Sequence, residues 1–152
     1  MEIRESQAKD WKVIQLLNNE VFIHDEEFDK DIDLNWPFSD AGTEYYKELA
    51  GGTYGKCYVA EEDGKAVGYI ALGFKDWGYR TGKHVELENM GVLPEYRSKG
   101  IGRLLVDKAK EWARSVNATK LYVSAYWGNT GARNFYEREG FEPIDQGLEI
   151  GL

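Results

Sequence analysis

The chain has 152 residues, enough to enclose one core of ordinary size, with 42% hydrophobic and 30% charged residues. No run approaches the ~18 consecutive apolar residues of a membrane span. Glu2, Arg4, Glu5, Lys9 and Asp10 interrupt the start, where a secretion signal would be apolar. A single cysteine (Cys57) excludes an intrachain disulfide and a multi-cysteine zinc site, and two histidines (His24, His84) argue against a histidine-rich metal centre. The net charge of −8 repels a phosphate backbone. These features predict one cytoplasmic domain over residues 1–152, with no metal and no nucleic-acid or membrane partner.

In chain order, residues 2–5 fit a short strand. Val13, Ile14, Leu17 and Val21 recur at three-to-four spacing and predict a helix over Asp10 to Phe22. Residues 24–38 are acidic (Asp25, Glu26, Glu27, Asp29, Asp31 and Asp33) and close on Trp36-Pro37-Phe38, which suggests an extended connection. The acidic run is either a solvated face or a negative rim that attracts a cationic substrate. A second helix is expected from Asp40 to Leu49, capped near Ser39 or Asp40 and stopped by Gly51-Gly52. The period then changes to two. Strands are predicted over Lys56–Glu61 and Ala66–Leu72 around the hairpin turn Asp63-Gly64, and a further strand over His84–Val92. Ile101, Leu104, Leu105, Ala109, Trp112 and Val116 form a stripe on a helix from Gly100 to Ser115. Leu121–Tyr126 reads as a strand, Thr130–Glu139 as a short helix stopped by Gly140, and Phe141–Leu152 has room for one or two strands. This order predicts a mixed α/β sheet whose last strands pair in parallel.

The most informative segment is the turn from Met90 to Arg103. A strand ends, Arg97 and Lys99 follow, and Gly100 and Gly102 open a helix. A helix start exposes unpaired N–H groups, and glycines let a diphosphate approach them. The position that a dinucleotide fingerprint reserves for a third glycine holds Leu105, and no phosphate loop ending in Lys-Ser/Thr is present. A plain glycine-rich helix start is the alternative reading.

Gly91-Val92 followed by Arg97-Ser98-Lys99-Gly100-Ile101-Gly102 resembles the GNAT superfamily of acyl-CoA-dependent N-acetyltransferases. So does Asn129-Thr130-Gly131-Ala132-Arg133-Asn134-Phe135-Tyr136-Glu137-Arg138-Glu139-Gly140-Phe141, a second motif of that family in the expected order. The resemblance implies a mixed, mostly antiparallel sheet of about six or seven strands flanked by about four helices and splayed between strands 4 and 5. It implies acetyl-CoA as cosubstrate and transfer of acetyl to a primary amine by direct attack in a ternary complex. The acceptor would be a small cationic amine. Protein N-terminal or lysine acetylation and a non-catalytic acyl-CoA-binding module stand as alternatives, and a homodimer is compatible with the family.

By the same resemblance, Arg97, Ser98, Lys99, Gly100, Ile101, Gly102 and Arg103 would cradle the CoA phosphates. Met90, Gly91 and Val92 would pair with the pantetheine arm, and the N–H of Met90 or Val92 would stabilise the developing oxyanion. Asn129 would bond the cofactor or cap a helix. Tyr136 would be the general acid, with core packing as the competing role; Phe135 and Phe141 are assigned to packing. For the base, strand alternation puts Glu86 and Glu88 on one face with Met90 and Val92. Glu86 ranks first and Glu88 second, with His84 third; solvent-facing carboxylates are the alternative. Cys57 is read as a buried packing residue. Phe22 to Tyr46 and Trp77 to Tyr79 would line the acceptor side, with Trp36, Phe38, Tyr45 and Tyr46 beside the acidic run.

Overall fold

A computed structural model describes all residues from Met1 to Leu152. Strand β1 (Glu2–Glu5) is followed by helices α1 (Trp11–Asp25) and α2 (Asp40–Gly51). Three strands come next, β2 (Gly55–Glu62), β3 (Lys65–Lys75) and β4 (His84–Val92), then α3 (Ile101–Ser115), β5 (Lys120–Val123) and α4 (Thr130–Arg138). The sheet is ordered β1-β2-β3-β4-β5. All neighbours pair antiparallel except β4 and β5, which run parallel across the α3 crossover.

Local chemistry accounts for the boundaries. The Ser39 hydroxyl accepts from the Gly42 N–H at 3.0 Å and starts α2; Gly52, in the left-handed region at φ 67°, ends it. Asp63 and Gly64, at φ 51° and 76°, make the β2–β3 turn in the backbone form that tight hairpins require. The connection before α2 departs from the extended path expected over 24–38. Helix α1 continues to Asp25, and Trp36–Phe38 forms a single 3-10 turn with Pro37 in its first positions, where a missing N–H costs nothing.

Two cores cover the two faces of the sheet. On one side α3 buries Ile101, Leu105, Val106, Ala109 and Ala113 against Val67, Ile70, Leu72, Val85 and Leu87. On the other, Ile14, Leu17, Tyr46 and Ala50 of α1 and α2 pack on Cys57, Val59, Tyr69 and Ala71. Each large core side chain contributes about 1.5–3 kcal/mol of burial. No helix is long and apolar enough to cross a membrane.

The strand count is five, not six or seven. The expected strands in Phe141–Leu152 do not form. Pro143 lacks a donor, Gly147 and Gly151 weaken any pairing, and Ile144, Leu148 and Ile150 are exposed. A cavity of about 1050 Å³ lies between this segment and β5.

Candidate active site

The α3 start is a polar cradle built by backbone. Gly100 caps the helix at φ 82°, with no side chain capping the end, and the first helical bond runs from the Leu104 N–H to the Gly100 carbonyl. The N–H groups of Ile101, Gly102 and Arg103 therefore lead the helix, where its dipole is positive. Ser98 is also left-handed, at φ 61°, a conformation that costs a non-glycine residue about 1–2 kcal/mol. Arg97 folds back: its Nε donates to the Val92 carbonyl at 3.0 Å and ties the loop to the end of β4. A β-carbon at Gly102 would lie 3.1 Å from the Phe135 ring, so the tip of that ring rests over the start of α3 where residue 102 has no side chain. Uncapped donors and glycines at 100 and 102 fit a diphosphate, the part of acetyl-CoA that such a cradle would hold.

Directly before the cradle, the sheet opens. The β4–β5 register runs from His84–Lys120 to Leu87–Val123 and stops. From Glu88 to Val92, β4 keeps its β3 partner through the Gly68–Val92 to Ala71–Asn89 pairs but has none on the other edge. Met90, Gly91 and Val92 thus offer backbone groups on an open edge, which is the splay between strands 4 and 5.

A bulge corrects the alternation expected along β4. Ala71 pairs with Asn89 and Leu72 with Leu87, so Glu88 is an extra residue opposite consecutive residues of β3. One extra residue reverses the faces beyond it. Met90 and Val92 pack with the α3 core, whereas Glu88 and Asn89 both bond to Tyr45 of α2. Glu86 and Glu88 therefore do not share a face with Met90 and Val92. Glu86 lies opposite Gly73, within the paired part of the strand, and its carboxylate is 3.8 Å from the Lys75 ammonium. Glu88 sits where the pairing ends. Burial pushes its carboxyl above the ordinary range, the Tyr45 hydrogen bond opposes that shift, and the Glu86 charge adds to it.

Tyr136 stands on α4, edge-on to Phe135 at 5.2 Å and Phe141 at 5.5 Å. Burial, and then the Asp25 charge, push its phenol up to about 12. It is protonated throughout the physiological range, so in a proton transfer there it can give a proton but not take one. Asp25, at the end of α1, is itself pushed upward by burial. Asp29 accepts a 2.7 Å bond from the Tyr126 hydroxyl, and Asp25, Phe28, Asp29, Tyr126, Trp127 and Tyr136 line one wall of the cavity beside β5. The Asn129 side chain accepts from the Ala132 N–H at 3.1 Å, which is the helix-cap role of the two expected for it.

The other candidates lie elsewhere. Cys57 is buried in the α1/α2 core, and burial pushes its thiol up to about 12. His84 is buried at the far end of β4, 5.0 Å from the Trp77 ring, which also abuts Tyr122 at 4.9 Å. Trp36 packs between Phe22, at 5.9 Å, and Tyr45, at 5.6 Å, while Phe38 is exposed. Asn89 and Tyr69, which the sequence reading did not single out, join Glu88 and Tyr45 in one hydrogen-bonded chain. The bulge that turns Asn89 inward leaves no local signature in sequence.

An open β4 edge leading into a bare helix start is the arrangement expected of an acyl-CoA-dependent N-acetyltransferase. The model of the Acetyltransferase (GNAT) family matches residues 17–141, and the chain belongs to that family. An uncharacterized N-acetyltransferase of Archaeoglobus fulgidus is 35% identical over 106 residues, 68% of this chain and 71% of the relative. Against two further curated relatives, from Chlorobaculum tepidum and Methanocaldococcus jannaschii, the match spans only 51% and 44% of their length. Among solved structures, a mutant of the Bacillus halodurans BH1408 protein shares the fold at a TM-score of 0.87 and 21% identity, over 100% of this chain and 99% of that one. The aminoglycoside N-acetyltransferase AAC(6′)-Iy, in complex with CoA, does so at 0.75 and 18%, over 99% and 93%.

Proposed function

We propose that this chain transfers acetyl from acetyl-CoA to a small cationic primary amine by direct attack in a ternary complex. The observation that carries this reading is the end of β4–β5 pairing at Leu87–Val123, which opens the β4 edge just ahead of the bare α3 start. The chemistry supplied by the cosubstrate is an activated acyl group on a thiol leaving group.

The residues of the chain do the rest. The N–H groups of Ile101, Gly102 and Arg103 hold the diphosphate, and Met90 to Val92 align the pantetheine amides as an added strand would. The N–H of Met90 or Val92 donates to the acetyl oxygen as charge grows on it, an interaction worth about 3–4 kcal/mol in the transition state. An alkylamine is mostly protonated near pH 7, so its nitrogen must lose a proton before or during attack. Glu88, at the bulge, takes that proton, directly or through water. It displaces Glu86 from first rank because Glu86 lies beside the Lys75 ammonium, at 3.8 Å, and within the paired part of β4. As the new C–N bond forms and the C–S bond breaks, the Tyr136 hydroxyl gives its proton to the departing sulfur. Asp25, Asp29, Tyr126 and Trp127, which line the cavity beside β5, supply carboxylates and aromatic faces suited to an alkylammonium.

Release of CoA thiol, measured over a panel of polyamine, aminoglycoside, amino-acid amide and peptide acceptors, tests the proposal. Turnover is expected with the compact polycations. Faster turnover of peptides carrying a free N-terminus or lysine would assign the protein-acetylating alternative instead. CoA binding with no thiol release from any amine would leave only a binding module.

A further inference from the structure

Behind Glu88 stands a chain of side chains with a fixed direction. Tyr69, fully buried in the α1/α2 core, donates its hydroxyl proton to the Asn89 carbonyl oxygen at 2.5 Å. The Asn89 amide is thereby turned, and its Nδ2 donates to the Tyr45 hydroxyl oxygen at 2.7 Å. Tyr45 has one proton, and it points at the Glu88 Oε2, 3.1 Å away. The rings of Trp36 and Tyr46, at 5.6 and 5.3 Å, hold Tyr45 in place. Room for the carboxylate comes from Gly73, where a β-carbon would collide with it.

We propose that Tyr45 is the positioning residue of Glu88: supplied from behind by Asn89 and Tyr69, its hydroxyl fixes the carboxylate at the bulge and favours the ionised form. The proposal rests on the reading of Glu88 as the base. A phenol donating to a carboxylate stabilises the anion, and Tyr45 stays a donor because burial and the Glu88 charge hold its own ionisation well above the usual phenol range. The other charged or titratable groups facing Glu88 are few. Glu48 comes from α2, Tyr54 from the turn before β2 and Lys56 from the start of β2; these line the same small hollow. Cys57 lies below, on β2. Glu86 approaches along β4 and is paired with Lys75.

Carbon-13 NMR titration of protein labelled at glutamate Cδ tests this without any acceptor. The Glu88 signal is assigned by its loss in Glu88→Gln. In Tyr45→Phe the midpoint of Glu88 should rise by about one pH unit while that of Glu86 stays put. In Asn89→Ala, which keeps the Tyr45 hydroxyl but frees its proton to turn, a smaller rise is expected. In turnover, the acidic limb of kcat/KM should move upward by the same amount in Tyr45→Phe, with KM for acetyl-CoA unchanged. An unmoved midpoint in both variants, with Glu88→Gln inactive, overturns the role of Tyr45 alone. Wild-type turnover by Glu88→Gln overturns the base assignment beneath it.

Discussion

Burial leaves Tyr136 with a single protonation state near neutral pH. Between Phe135 and Phe141 its phenolate is poorly solvated, and the Asp25 charge disfavours it further. Replacing Tyr136 by Phe keeps the ring and deletes the proton. We expect kcat to fall by about ten- to a thousandfold, while KM for acetyl-CoA changes by less than about threefold. Steady-state kinetics with the best amine of the panel checks this, and an unchanged kcat removes Tyr136 from the proton path. Tyr136 stood out in sequence as the proposed acid because its motif is contiguous. The choice between Glu86 and Glu88 did not, because it depends on a strand irregularity and on a lysine contributed by β3.

At the level of elements, the helices were the most readable. Ile101, Leu105 and Ala109 fall on one stripe of α3 and are buried as that spacing predicts, although Leu104 turns toward solvent and Trp112 packs sideways on Phe74. Strand ends were less readable. Strand β5 was expected to reach Tyr126 and stops at Val123, because pairing ends where β4 diverges, and divergence is a tertiary event. The contact between Gly102 and the Phe135 ring gives a direct test of the cradle. Gly102→Val crowds the tip of the Phe135 ring and adds side-chain bulk beside the leading N–H groups of α3. The rise in Tm that CoA gives the wild type should be largely lost in this variant, since the gain tracks binding to the folded state. A full CoA-dependent rise would mean that the diphosphate rests elsewhere.

Across the whole molecule, the first strand is fastened by charge. The Arg4 guanidinium makes bonds of 2.8 and 3.1 Å to the Asp10 carboxylate and one of 2.9 Å to Glu61. This cluster joins β1, the approach to α1 and β2, an association no sequence pattern announces because Arg4 and Glu61 meet only through sheet register. The Arg4 hydrogen bond holds the Asp10 carboxyl below the ordinary carboxylate range, against the opposing effect of burial. A depressed folded-state pKa gives stability that is complete above the unfolded value, near 4, and fades as pH falls toward the folded one. Thermal melts of wild type and Asp10→Asn should therefore differ most above about pH 5, with the gap closing below about pH 4. A gap independent of pH would show that the carboxylate charge does not hold β1.

The bulge at Glu88 also sets a parity for the second half of β4. Ahead of it, odd-numbered residues (Val85, Leu87) meet α3; behind it, even-numbered ones (Met90, Val92) do. Excising that single residue would restore strict alternation and still leave Met90 and Val92 in the α3 layer, whereas flattening the bulge with Glu88 retained would send Asn89 and Gly91 there. The bulge thus puts two consecutive residues, Glu88 and Asn89, on the Tyr45 side of the strand while the residues beyond them keep their place against α3.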